Sequence, residues 1–123
     1  MESIKKNEEF RYVYQNGKSY AKKYLVMYIC KNNREESRLG ISVSKKVGNS
    51  VVRHRLARLI RESCRLNRER FHSGWDIVIV ARPAAKGKNY FEINSAVLHL
   101  AGLHRIFNAE RKITNSNQKN NPE

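Results

Sequence analysis

Residues 50–62 read SVVRHRLARLIRE, and the spacing within them decides the fold. Continued from Val51 to Arg70, the stretch holds seven arginines, two glutamates and no lysine. Advancing about 100° per residue lays Val52, Leu56, Leu59, Ile60, Ser63 and Leu66 along one arc of a helix. His54, Arg58, Arg61, Arg65 and Arg68 gather on the opposite arc, while Arg53 and Arg55 fall on the two borders. The pattern predicts a helix over 51–70 with one face for burial and one for charge.

That charged face is unlike the surface of an ordinary solvated helix. Such helices mix Lys with Glu at i, i+4 and gain side-chain pairs, whereas neighbouring arginines repel by a few tenths of a kcal/mol per pair. A guanidinium offers a planar fork of donors that matches phosphate and can stack on bases. Each neutralised phosphate also releases counterions. The face therefore points to nucleic acid. The preceding KKVGN, residues 45–49, supplies Lys45 and Lys46, a glycine that permits close approach, and a helix start whose free N–H groups attract anions.

The whole chain carries the same bias. Its 123 residues suit one domain with one core, and 25 Lys and Arg against 11 Asp and Glu give a net charge of +14. Such an excess opposes compaction and serves a polyanion, with nucleic acid ahead of an anionic membrane surface. No apolar run approaches the roughly 20 residues that span a bilayer. MESIKKNEEF lacks the apolar stretch of a signal peptide. Cys30 and Cys64 form no CxxC, and a secreted domain this small would carry several disulfides. The expected setting is a reducing cytoplasm, with both thiols acting as small buried hydrophobes.

Upstream, NEEFRYVYQNG predicts a short helix capped by Asn7, with Glu8 and Glu9 at its positive end and Gly17 closing it. Phe10, Val13 and Tyr14 share one face. KKYLVMYICK alternates: Tyr24, Val26, Tyr28 and Cys30 point one way and Leu25, Met27 and Ile29 the other, as in a strand covered on both faces. NNREES is a polar turn, and RLGISVSKK is a second strand with Leu39, Ile41 and Val43 on one face. Downstream, WDIVIVAR is the continuous apolar run of a central strand, ended by Pro83. RPAAKGKNY is a basic loop. A last helix is expected over Glu92 to Arg111, with Ala96, Leu100, Leu103 and Phe107 in step. The chain thus reads as one RNA-binding domain over 1–111 and a disordered polar tail over 112–123.

If the first helix lies on the first strand, Phe10, Tyr14, Tyr24 and Tyr28 converge. Core filling and a shallow platform for single-stranded RNA both fit that set, and three phenols favour partial exposure. Catalytic chemistry is not legible. Two-metal nucleases need clustered carboxylates, and this chain has a single Asp, Asp76. No Cys/His set has zinc spacing, and no P-loop or GxSxG occurs.

Taken together, GISVSKKVGNSVVRHRLARLIRE (Gly40 to Glu62), with NEEFRYVY…G before it and WDIVIVARP after it, resembles the protein component of bacterial ribonuclease P. The resemblance runs from about Lys5 to Phe107. It implies an α+β fold, a single-domain α–β sandwich with a mixed four-stranded sheet and three helices. The Arg-rich helix would be a left-handed crossover between parallel strands, against the usual handedness. It also implies a ribonucleoprotein in which a catalytic RNA removes the 5′ leader from precursor tRNA. Mg²⁺ would be held mainly by that RNA, and the protein would bind no metal itself and be inactive alone. Neither DNA nor a membrane is an expected partner. Carried onto this sequence, Arg53, Arg55, Arg58 and Arg61 would contact the catalytic RNA or order metal near its active site. Phe10, Tyr14 and Tyr28 would line a cleft for the leader, and Lys45 and Lys46 match the family's basic turn. His54, Arg65 and Arg68 complete the RNA-binding set on the charged face. Two positions depart from the family: its motif is usually Arg-Asn-Arg, where His54 stands here, and Ala57 occupies a commonly basic place. His54 can still donate and accept hydrogen bonds, while Ala57 removes a charge. The rival reading is a structural RNA-binding protein of ribosomal type, which would have no need of a cleft for a single strand.

Overall fold

In the computed structural model, which describes residues 1–108, the chain runs β1 (Glu2–Ser3), α1 (Asn7–Asn16), β2 (Lys18–Ala21), β3 (Leu25–Lys31), β4 (Arg38–Ser42), α2 (Ser50–Leu66), β5 (Trp75–Ala81) and α3 (Tyr90–His104). The expected tail over 112–123 and the end of the expected last helix lie outside the described residues. The apolar run of β5 takes the centre of the sheet, whose order is β1-β4-β5-β3-β2. β5 pairs with β4 in parallel, from Arg38↔Asp76 to Ser42↔Val80, so α2 is the crossover between them. On its other side β5 pairs antiparallel with β3, from Leu25↔Ala81 to Lys31↔Trp75.

The sheet has five strands where four were expected. The extra one is β1, two residues that pair in parallel with Arg38 and Leu39 and stop there. It is too short to leave a periodic signal. β2 pairs antiparallel with β3 along the far edge, and all four of its residues are exposed, so no alternation marks it.

The period of two in the strands sorts side chains into two layers. Leu25, Met27, Ile29, Leu39, Ile77 and Ile79 meet Leu56, Ile60 and Cys64 of α2 and Ile93, Val97 and Leu100 of α3. Each such Leu or Ile, fully buried, contributes about 1.5–3 kcal/mol. On the opposite face Val78 packs with Val13 of α1 and with Ile4. Helices thus cover both faces of the sheet, as the α–β sandwich reading required.

The helices differ in detail from the sequence pattern. α2 ends at Leu66 and gives way to a 3-10 turn at Arg68–Arg70. Its buried arc is Leu56, Ile60, Ser63 and Cys64, while Leu66 is 58% exposed. That arc is centred about 50° further round than the apolar spacing indicates. The helix is rolled toward α3, where Ser63 Oγ donates to Asn94 Oδ1 at 2.7 Å and Asn67 Nδ2 donates to the same atom at 3.1 Å. α3 begins with a reciprocal cap, Asn89 Oδ1 accepting from Glu92 N–H and Glu92 Oε1 from Asn89 N–H. It stops at Arg105, whose φ of 62° is left-handed, well before the expected end. Its buried residues are Ile93, Val97, Leu100 and Ala101, which leaves Leu103 partly exposed and Phe107 beyond the helix. Phe107 instead bridges to Phe71, with ring centroids 4.9 Å apart.

α1 has no side-chain cap. The carbonyl of Lys6, not Asn7, closes its first turn by accepting from Glu9 and Phe10 N–H. Gly17 ends it in an extended conformation. A Cβ there would lie 2.5 Å from the Ile29 carbonyl oxygen, so the glycine serves close packing of helix end on strand.

Candidate nucleic-acid interface

α2 begins at Asn49, whose side chain accepts from Val52 N–H at 3.0 Å. That cap leaves the amides of Ser50 and Val51 at the open end of the helix. Lys45 and Lys46 sit exposed in the turn before it, and buried Val47 pins that turn to the core. Gly48 lies against Val52, since a Cβ on it would come within 2.8 Å of that side chain.

The charged face of α2 divides into three kinds of side chain. His54, Arg58 and Arg61 are exposed and make no hydrogen bond or ion pair with any described residue. Arg53 and Arg55, the border residues, are half-buried and braced by backbone carbonyls: Arg53 Nε donates to Gly48 O at 3.3 Å and Arg55 Nη1 to Lys88 O at 3.1 Å. Arg65 is exposed but turns its fork onto Glu62, with Nη2–Oε2 at 2.6 Å, and that guanidinium lowers the Glu62 carboxyl below its usual range. Arg68 lies past the helix and reaches back to the Arg65 carbonyl at 3.5 Å. A surface pair such as Glu62–Arg65 is worth about 0–1 kcal/mol, so an arriving phosphate can displace it. Ala57 is half-buried beside these groups and adds no charge.

The aromatic set assembles on the other layer. Tyr14 stands edge-on to Tyr28 with centroids 4.9 Å apart, and Phe10 is tilted against Tyr14 at 6.4 Å. Tyr24 does not join them. It packs on the α2–α3 side, with Lys88 Nζ 5.2 Å and Lys23 Nζ 5.9 Å from its ring. It precedes β3 and so escapes that strand's alternation. Phe10 and Tyr14 line an open groove of about 500 Å³ together with Asn7, Arg11, Ile41, Ser42 and Val43. Gly40 makes room for it, because a Cβ there would meet the Phe10 ring at 2.8 Å. Sequence reasoning missed Asn7, Arg11 and the β4 residues. The signal was present in part, since 7, 10, 11 and 14 form an i, i+3, i+4, i+7 stripe.

A buried ion network fixes the helix over this groove. Arg38 of β4 donates to both oxygens of Asp76 on β5 and, through Nη1, to Glu9 of α1 at 3.0 Å. Burial pushes the Asp76 carboxyl upward, but hydrogen bonds from Arg38 and Asn32 outweigh it and hold the group below the usual carboxylate range. The hydrogen bond from Arg38 likewise lowers Glu9. Both cysteines are free thiols, Cys64 buried and Cys30 only partly so.

Among the described residues, no three His, Cys, Asp or Glu side chains come together as a metal site, and no helix is long and apolar enough to cross a membrane. The arrangement offers phosphate contacts along α2 and ring faces beside the groove.

Comparison with known proteins agrees with this geometry. The family model described as Ribonuclease P matches residues 1–117. The ribonuclease P protein component of Lachnoclostridium phytofermentans is 66% identical over 108 residues, covering 88% of this chain and 93% of that one. That of Clostridium botulinum is 51% identical over 106 residues, covering 85% and 96%. Among solved structures, the Staphylococcus aureus RNase P protein superimposes with a TM-score of 0.81 at 37% identity, over 88% of this chain and 99% of that one. The Thermotoga maritima protein gives 0.76 at 30% identity, over 82% and 96%.

Proposed function

The chain belongs to the ribonuclease P protein family, and from that premise we propose that it is the RNA-binding subunit of a tRNA-processing ribonucleoprotein endoribonuclease in which a partner RNA carries the catalysis. One observation carries the reading: a single small chain presents two separate surfaces, an arginine face with Arg58 and Arg61 unpaired on one layer and an aromatic groove on the other. Arg53, His54, Arg55, Arg58, Arg61, Arg65 and Arg68, with Lys45 and Lys46, hold the partner RNA by its phosphates and relieve the repulsion between RNA segments. Phe10, Tyr14 and Tyr28 hold the single-stranded 5′ leader of precursor tRNA by stacking, so the protein positions substrate without touching the scissile bond. Mg²⁺ is held mainly by the RNA, and the protein favours its binding by fixing the leader and the nearby backbone. No step is assigned to a protein side chain acting on metal. The working compartment is the cytoplasm.

Reconstitution tests this. The purified protein, the cognate ribonuclease P RNA and a precursor tRNA are combined at low magnesium. Cleavage is expected only when both protein and RNA are present, at a magnesium level where the RNA alone is slow. Cleavage by RNase-free protein alone would overturn the assignment, and so would a protein that leaves the RNA's rate and magnesium requirement unchanged.

A further inference from the structure

We propose that the loop Arg82–Lys88, together with Lys22 and Lys23, forms a second phosphate-binding surface that grips an RNA backbone beside the arginine face of α2. The inference rests on the RNA-binding reading above and extends it to residues that the arginine helix does not include.

The fold gathers unopposed cations at one end of the sheet. β4 and β5 run in parallel and β3 runs against them, so the ends of β4 and β5 and the start of β3 lie at one end of the sheet. That end carries Lys22 and Lys23 before β3, Lys45 and Lys46 after β4, and Arg82, Lys86 and Lys88 after β5. The opposite end is mixed: Glu35, Glu36, Glu69 and Asp76 there stand among Lys31, Arg34, Arg38, Arg68 and Arg70, so only the first end is uniformly basic. The carboxyl ends of parallel strands flanking a crossover are also where open sheets present ligand crevices.

Contacts join the cations of this end into one surface. Arg82 Nη1 donates to the Lys22 carbonyl at 2.9 Å, and Arg82 N–H donates to the Tyr24 carbonyl at 2.8 Å. Lys23 and Lys88 both lie over the Tyr24 ring. Arg55 of α2 donates to the Lys88 carbonyl, which makes the patch continuous with the arginine face. The acid facing it is Glu92, 4.0 Å from Lys88 Nζ.

The loop is also shaped in advance. Ala85, Lys86 and Lys88 N–H donate back to Arg82, Pro83 and Ala85 carbonyls, and buried Ala85 anchors the turn. Gly87, at φ 81°, reverses the chain with nothing within 4 Å of a Cβ placed on it, so the loop tip is open. Cations gathered at one end of the sheet repel one another, with salt screening the repulsion over about 8 Å. Rigid clustering of this kind is favourable when an anion spans it, and pre-ordering lowers the entropy lost on binding. Partner RNA and tRNA share the ligand chemistry, a phosphodiester backbone.

The test uses the triple variant Lys22→Gln, Lys23→Gln, Lys86→Gln, three exposed side chains of which only Lys23 touches the fold, over the Tyr24 ring that Lys88 also covers. Its melting temperature is expected to equal or exceed the parent's. Salt titrations are run on three probes: the cognate ribonuclease P RNA with protein alone, and precursor and mature tRNA with the reconstituted holoenzyme. The surface predicts a salt slope shallower by roughly one unit per lost contact, and an affinity loss of about tenfold or more at low salt. A change with the RNA alone places the catalytic RNA on the patch, and a change only with the tRNA probes places tRNA there. Unchanged slopes on all three probes in a folded variant would overturn the proposal. Arg58→Ala/Arg61→Ala is measured alongside. If that pair shifts the slope and the triple variant does not, only this surface falls; if neither shifts it, the RNA reading of α2 falls too.

Discussion

Arg38 donates to both carboxylate oxygens of Asp76, with Nε 2.9 Å from Oδ1 and Nη2 2.6 Å from Oδ2, and both side chains are about nine-tenths buried. Removing the Asp76 charge leaves Arg38 with Glu9 alone to compensate it, and breaking such a buried pair costs about 3 kcal/mol. Asp76→Asn is expected to destabilise by that order in urea unfolding at pH 7. The Asp76 pKa is depressed in the folded state, so the pair's contribution is fully present above the unfolded value near 3.9 and is lost as pH falls through the folded one. The parent should therefore lose stability between about pH 5 and pH 2, and Asp76→Asn should lose less. Equal losses in the two proteins would show that acid sensitivity arises elsewhere.

Arg58 and Arg61 are exposed and unpaired, so truncating them should barely touch the fold. Arg58→Ala and Arg61→Ala are each expected to change stability by under about 0.5 kcal/mol. Each should make the salt dependence of partner-RNA binding shallower by roughly one unit. Arg65→Ala is expected to lose less affinity, because its fork must first leave Glu62. Salt titrations of the three variants give the ranking directly.

Tyr28 does not line the groove itself but stands edge-on behind Tyr14, which lines it with Phe10. If these rings stack leader bases, worth about 1–3 kcal/mol per base, the loss should fall on the precursor alone. Tyr28→Ala is expected to weaken precursor binding by the assembled enzyme about tenfold or more and to leave mature tRNA binding nearly unchanged. Equal losses for the two ligands, in a protein whose melting curve is intact, would mean that the rings only fill the core.

The two thiols should differ in reactivity. Burial pushes the Cys64 thiol up to about 12, while Cys30 is raised by lesser burial and by the charge of Asp76. The thiolate is the reactive form, so Cys30 should label slowly at pH 8 and Cys64 only under denaturant. Mass spectrometry of alkylated peptides reads both rates. Fast labelling of Cys64 in the native protein would contradict its packing between sheet and helices.

The sequence made α2 and β5 legible for different reasons. Arg58, Arg61, Arg65 and Arg68 opposite Leu56 and Ile60 leave one way to roll a helix, and WDIVIVA leaves one place for a strand. The roll was nevertheless off by about half a residue step, because Ser63 and Asn67 hydrogen-bond to Asn94 and bring α2 toward α3. No apolar pattern records such polar contacts. Lys18–Ala21 carried no signal because an exposed edge strand places no side chain in the core. Tyr24 was misassigned because its parity only matters inside a strand, and β3 begins one residue later. The Arg38–Asp76–Glu9 network joins three elements far apart in sequence, and local spacing cannot reveal such a meeting. The stripe 7, 10, 11, 14 did hold part of the groove, but its opposite wall depends on strand order.

The brevity of β1 has a bearing on what the groove can admit. Because β1 stops at Ser3, the β4 edge from Ile41 onward is left uncovered beside Phe10 and Tyr14. A single nucleic-acid strand placed there would meet flat ring faces, and those look alike to adenine, guanine, cytosine and uracil. The ring faces would take any unpaired base, and Asn7, Arg11 and Ser42 are the lining side chains able to tell one base from another. A longer first strand would have sealed that edge and narrowed the gap. Two residues of pairing are enough to anchor the amino-terminal segment, and their scarcity leaves the groove open along the β4 edge.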